Sequence, residues 1–318
     1  MRWWLTLGDL ESDEGRILEL TEAHGRFEVA EVLRYRAQDD RRVTGKGFTG
    51  GEFGLGHFFV TDFNTVYRID ARGRIDVVAA RHDFNDLHHV AVVQDRLWVT
   101  NTGLDRIDVL DVDGGFVGGF ALCPSDDEHE RRSDTDAQGV YFKGNRGLPF
   151  HRRKVQDKVH PNHVGLWRGK PVVTRLRSGE VQRLDDFSPL LTAPGHPHDG
   201  QEHDLMFWVT CTNGLVLAYG EGERAVLEPK LQFDLFASSG VSGWCRGLAV
   251  SPDRLLVGLT RMAYAPDTYW SERPHAETTT AVLVVDRASG RLLDLVDLNA
   301  FGVHPKLFSI VAVPEWFT

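Results

Sequence analysis

The chain is poor in cysteine: Cys123, Cys211 and Cys245 are the three in 318 residues, and no CxxC pair occurs. An odd, sparse set of this kind implies no disulfide framework. No apolar stretch is long enough to span a bilayer, and the apolar run in MRWWLTLGDLESDEG is far too short for a secretory signal. The compartment expected is therefore the cytoplasm, with no membrane partner. No basic run offsets the formal net charge of −10, which argues against nucleic acid or an anionic membrane as the main partner. G-x-S-x-G, P-loop and H-E-x-x-H signatures are all missing, and isolated acidic pairs such as Asp126-Asp127 read as solvated loop.

What is present is glycine and tryptophan, 32 and eight residues, in a chain that is 42% hydrophobic. The most regular stretch, Leu87 to Phe120, reads as four short strands: HHVAVV, RLWVT, RIDVLDV and FVGGF, separated by turn residues. A four-stranded meander cannot bury both faces alone, so copies must pack face to face around an axis. The second strand ends in an apolar residue followed by threonine, and that dipeptide recurs at Thr6, Thr61, Thr100, Thr174, Thr210 and Thr260. Third strands follow each one: RILEL, TVYRID, RIDVLDV, EVQRLD, LVLAYG and AVLVVD. Inner strands precede five of them: TGGEFGL, HHVAVV, NHVGLW, HDGQEHD and RGLAVS. Thr6 has no room for one, and LFSIVAV (Leu307 to Val313) supplies it from the other end of the chain. This predicts an all-β, six-bladed β-propeller spanning residues 1–318 as one domain, with one blade closed by N-terminal strands plus the C-terminal strand. Five or seven blades would follow if one weak repeat is misread.

Two segments interrupt the repeat, 123–159 between an outer strand and the next inner one, and 263–280 between second and third strands. In a meander of this polarity both connections fall on one face, so the two insertions are expected to be lids over the same channel mouth.

The inner strands begin at that mouth. Counting back from each threonine gives Thr49, His88, Asn162, His198 and Arg246; one residue further in are Gly50, His89, His163, Asp199 and Gly247. Eight of the 14 histidines (82, 88, 89, 160, 163, 196, 198 and 304) lie in or just before these starts. Imidazole, carboxylate and amide oxygen converging from separate strands suit a divalent metal, with zinc, iron or copper favoured over calcium. His88, Asn162, His163 and His198 are the expected ligands, Asp199 or His89 the acid or base, and Arg246 the residue that orients a substrate carboxylate or phosphate. The bland alternatives are a structural hydrogen-bonding histidine at each strand start, an Arg246 that bridges blades, and an Asp199-Gly200 turn. Glu52, in the weakest repeat, reads as structural, and Cys245 as a small core residue.

At these residues the chain resembles the regucalcin/gluconolactonase and strictosidine-synthase-like superfamily of six-bladed propellers. DFNDLHHVAVVQDRLWVT is similar to that family's FND segment, HPNHVGL to its PNG start and PHDGQEHDLMFWVT to its PDG start, over roughly residues 45 to 260. The resemblance implies that Asn162 matches the family's metal-binding Asn and Asn85 its substrate-side Asn, while its metal-binding Asp matches His198 by register or Asp199 by the Asp-Gly dipeptide. The family's first-blade Glu-Gly-Pro is absent, with GKGFTGGEF and its Glu52 in that region, and histidines stand where the family has Gly or Asp. The function expected is metal-assisted hydrolysis or lyase chemistry on a small anionic or polyhydroxylated metabolite. The alternatives are a redox-active iron or copper enzyme and a non-enzymatic binding platform.

Overall fold

The computed structural model describes residues 1–123, 149–152, 155, 157–222, 226–262 and 278–317. They form six four-stranded antiparallel sheets. The first runs outward from Pro305–Ala312 through Arg2–Asp9 and Glu14–Ala23 to Arg26–Arg36, so both ends of the chain meet in one blade. In the other five the inner strands are Gly51–Gly54, Leu87–Val93, Pro161–Trp167, Pro197–His203 and Trp244–Val250, and each sheet then continues outward in chain order. Each inner strand touches the next, and Pro305–Ala312 closes the ring against Gly51–Gly54. The fold is a six-bladed β-propeller. Every apolar-Thr dipeptide lies in a second strand, and all six expected third strands form.

There is no single core. Six clusters of buried side chains each join one pair of neighbouring blades. Successive side chains of a strand point to opposite faces, and here both faces are covered. Trp3 therefore packs between the sixth and first blades, while its neighbour Trp4 packs between the first and second. Phe207 and Trp208 split in the same way across the fifth blade. Burial on both faces is why these strands read as continuous apolar runs instead of alternating ones.

Residues 124–148 and 263–277 lie outside the described residues, so most of both expected lids does too. The short helical turn Phe150–Arg152, at the end of the first segment, is placed. It sits on the mouth where inner strands begin, held by Asn64 Nδ2 donating to His151 O (2.6 Å) and Asn85 Nδ2 donating to Phe150 O (2.7 Å). No helix among the described residues is long and apolar enough to cross a membrane.

Candidate functional site

Bulges at the starts of the inner strands build the site. In the third blade Leu87 pairs with Asn101 and Val90 with Val99, so His88 and His89 together oppose Thr100. Asn162 and His163 oppose Thr174 in the same way, and His198 and Asp199 oppose Thr210. The extra residue of the sixth blade is Gly247, whose φ of +74° suits glycine, and that of the first blade is Phe308. A bulge removes backbone N–H groups from the ladder and re-aims side chains. The threonine hydroxyls take up those N–H groups. Thr100 Oγ1 accepts from His88 N (3.2 Å) and His89 N (2.8 Å), Thr174 Oγ1 from His163 N (3.0 Å) and Thr210 Oγ1 from Asp199 N (3.2 Å). In these three blades the threonine is thus the partner that the bulge requires.

The bulges stack the polar side chains in two levels. At the upper one stand His88, His198 and a third imidazole, His160, with ring centroids of His88 4.8 Å from His160 and 6.5 Å from His198. Each has its Nδ1 held from behind: His88 by Asp86 O (2.8 Å), His160 by Asp157 Oδ2 (2.7 Å) and His198 by Asp199 Oδ2 (2.7 Å). Those acceptors are fixed in turn. Lys46 Nζ bonds Asp86 (2.5 Å), Arg177 Nε bonds Asp157 (2.7 Å), and Gly247 N donates to the same Asp199 oxygen (2.7 Å). With Nδ1–H as donor, Nε2 of each ring keeps its lone pair, and none of the described residues hydrogen bonds to it. Phe308 lies 6.1 Å from the His88 ring, and the Arg246 guanidinium packs 4.5 Å above Phe308 and 5.5 Å from Trp244. Lys306 adds a second cation 5.3 Å from Phe308. Two cations, Arg246 and Lys306, thus stand close to these imidazoles.

His163 does not join that group. It lies one level down against His89, ring centroids 4.0 Å apart, where both line a separate cavity on the other side together with Asp199. Asn162 is 1% exposed; its Nδ2 donates to Pro197 O (3.3 Å) and its Oδ1 has no hydrogen-bond partner. Asn85 is fully buried and holds the Phe150 carbonyl, so the structure gives it a loop-pinning contact. Cys245 sits in the core between the fifth and sixth blades, and burial pushes its thiol well up.

Burial is the main force on the ring charges. It holds His88 well below the ordinary histidine value, with Asp86 opposing and His160 and Lys46 adding to the effect. Burial likewise lowers His198 to about 4 against the pull of Asp199. Burial alone would raise Asp199, but His198, His163 and the Gly247 N–H outweigh it and hold the carboxyl below its usual range. Near neutral pH His88 and His198 are therefore neutral imidazoles beside an ionised Asp199.

Imidazoles anchored through Nδ1 are the donor chemistry of a zinc, iron or copper centre. Two Nε2 ligands on one tetrahedral zinc would set their ring centroids roughly 5 Å apart. His88 and His160 meet that spacing, whereas His198 stands wider. Among the described residues no three His, Cys, Asp or Glu side chains already form a metal site. The donor types fit a metal; their present spacing fits only for one pair.

Sequence reasoning counted His160 in the histidine cluster without assigning it to the site, and it missed Phe308. His160 lies in the HPN segment at φ +55°, three residues after the Asp157 that holds it, and that Asp-x-x-His spacing was its available signal. Phe308 had none, because an aromatic residue in a closing strand reads as core.

Comparisons with protein families and with curated proteins find no match. Solved structures do match over the whole chain. A protein of unknown function from Bacteroides caccae superposes with a TM-score of 0.61 at 11% identity, covering 99% of this chain and 100% of that one. A chain of a nidogen/laminin complex gives 0.59 at 14%, covering 97% of each. The periplasmic gluconolactonase PpgL of Pseudomonas aeruginosa gives 0.54 at 15%, covering 99% and 100%. At these identities the shared property is the fold, and the chain is a six-bladed β-propeller with a gluconolactonase among its structural neighbours.

Proposed function

We propose that the upper mouth is the active site of a metal-dependent enzyme performing hydrolysis or lyase chemistry on a small anionic or polyhydroxylated metabolite. The observation that carries this is the trio His88, His160 and His198, each tied through Nδ1 to an oxygen so that Nε2 remains as the ligand or base. His88, His160 and His198, with Asn162 Oδ1, would hold the ion. A divalent metal bound there supplies a Lewis acid and lowers the pKa of water.

The chain's own residues do the rest. Arg246, stiffened between Phe308 and Trp244, binds the carboxylate or phosphate of the substrate, and Lys306 adds positive charge. Where the ion is bound, Asp199 orients the His198 ligand through Nδ1 and raises its basicity; without an ion the same Asp199–His198 dyad presents an oriented neutral imidazole as general base, with Asp199 stabilising the imidazolium that forms. A second reading keeps this dyad and dispenses with the ion. It is favoured by the wide placement of His198 and by the lack of a ready-made three-residue site among the described residues.

Elemental analysis of protein purified without an affinity tag, wild type beside H88A/H198A, separates the two. About one equivalent of zinc, iron, copper or nickel, lost in the variant, supports the metalloenzyme, and iron or copper would direct attention to redox chemistry. If no ion is found and none binds on addition, the metal is abandoned and the dyad alone is tested on carboxylate and lactone substrates.

A further inference from the structure

Below the His89–His163 pair the channel widens into a cavity of about 400 Å³ that opens on the opposite face, among the ends of the inner strands. Its walls are largely apolar, with Trp3, Leu166, Leu248 and Ile310 among them. Its polar groups are unusual in sign. Glu52, Gln201, Glu202, Asp199, His89 and His163 line it, and among the described residues no lysine or arginine does; Met1, 66% exposed, stands at the rim. His89 is 4% exposed, its remaining ring contact is with the Gly51 backbone, and its Nδ1 has no hydrogen-bond partner. His163 Nδ1 is buried without a partner as well. Gln201 and Glu202 each spend one oxygen on a neighbouring strand's N–H, Val250 N (3.1 Å) and Arg168 N (2.6 Å), and Glu52 does the same with Val92 N (2.8 Å). The two imidazoles and the spare oxygens of two glutamates thus line a pocket of ligand size.

We propose that this lower cavity binds a small organic cation, with an apolar body against the aliphatic walls and a primary ammonium head on the Glu52 carboxyl beside the His89–His163 pair. An ammonium is donor-only with three N–H bonds, which complements a site made chiefly of acceptors. Charge points the same way, since a buried carboxylate without a cation is costly and a ligand that supplies one is favoured. Burial raises the Glu52 carboxyl to about 7, as expected of an acid that faces a low-dielectric space without a cationic neighbour. The inference does not rest on the chemistry of the upper mouth, whose cations select the opposite charge.

The test is titration of the full chain with n-butylammonium, butyrate and n-butanol, followed by calorimetry. Butylammonium should bind at least about tenfold tighter than either isostere, the worth of one charge-assisted hydrogen bond. Butyrate, drawn to Arg246, should not displace it. E52Q should weaken butylammonium by about ten- to a hundredfold while keeping the Val92 N–H bond through its amide oxygen. A312W offers a second variant at an exposed position of the rim, where an indole would obstruct entry without touching the core. Absence of butylammonium binding, equal affinity for butanol, or affinity unchanged in both variants would overturn the proposal.

Discussion

The two levels at the channel's centre are built from consecutive residues of the same strands, yet their chemistry is opposed. His88 and His198 are tied through Nδ1 to oxygens and face a mouth with Arg246 and Lys306. His89 and His163, one residue further along, have untied Nδ1 atoms and line a cavity with glutamates and, among the described residues, no lysine or arginine. Burial makes the imidazoles neutral at both levels, so charge state does not distinguish them. Anchoring does. A ring fixed from behind presents one lone pair in one direction, while an unanchored ring waits for a partner to define it. Two histidines adjacent in sequence can therefore serve different ligands.

The largest expected effect breaks the upper level. H198A should lower turnover of any substrate of the upper mouth by about 10²- to 10⁴-fold, the range for loss of a general base. Steady-state kinetics on a panel of lactones and carboxylates checks this, and unchanged kcat would remove His198 from the chemistry. Next comes the lower level. Because Glu52 titrates near 7 when folded and near 4.5 when unfolded, the folded state holds a proton that the unfolded state has released in that window. Stability conferred by this site therefore falls as pH rises from about 4.5 to 7, by up to about 3 kcal/mol. E52Q should flatten that part of the pH profile in urea denaturation and gain stability at pH 8; an identical profile would mean that Glu52 is well solvated.

Loosening one anchor should cost less. D157N keeps a hydrogen-bond acceptor beside His160 but removes the charge, and a metal-dependent upper site should lose about 10- to 100-fold in ion affinity. Competition with a chelating dye reads this directly, and an unchanged affinity would exclude His160 as a ligand. The smallest effect concerns the bulge that creates both levels. T100V leaves the His88 and His89 N–H groups without their hydroxyl and should destabilise by about 1–3 kcal/mol. Thermal unfolding of the variant measures it, and no change in Tm would show that water replaces the hydroxyl.

The threonine spacing was legible because the apolar-Thr dipeptide recurs in every second strand, and in the third, fourth and fifth blades its hydroxyl lies opposite the bulge. The blade count followed, as did the role of the terminal segments, since an unpaired inner strand at one end matched a missing one at the other. The pair at each strand start was also visible as polar residues interrupting apolar runs. Which member of the pair faces which mouth was not visible. Regular strands alternate sides with period two, whereas a bulge breaks the alternation by an angle that only the neighbouring strand fixes. His163 was expected beside His88 among the metal ligands although it counts with His89, and the fold places it with His89.

Local patterning alone thus determined the architecture, because propeller strands covered on both faces leave continuous apolar runs and a fixed threonine. Tertiary structure decided the rest. His160 reached the upper mouth through a left-handed backbone turn and its bond to Asp157, Phe308 did so through closure of the ring, and Glu52 was carried to the lower cavity by its bond to Val92 N. Each of these placements depends on contacts between segments far apart in the chain or on a local φ that composition does not encode.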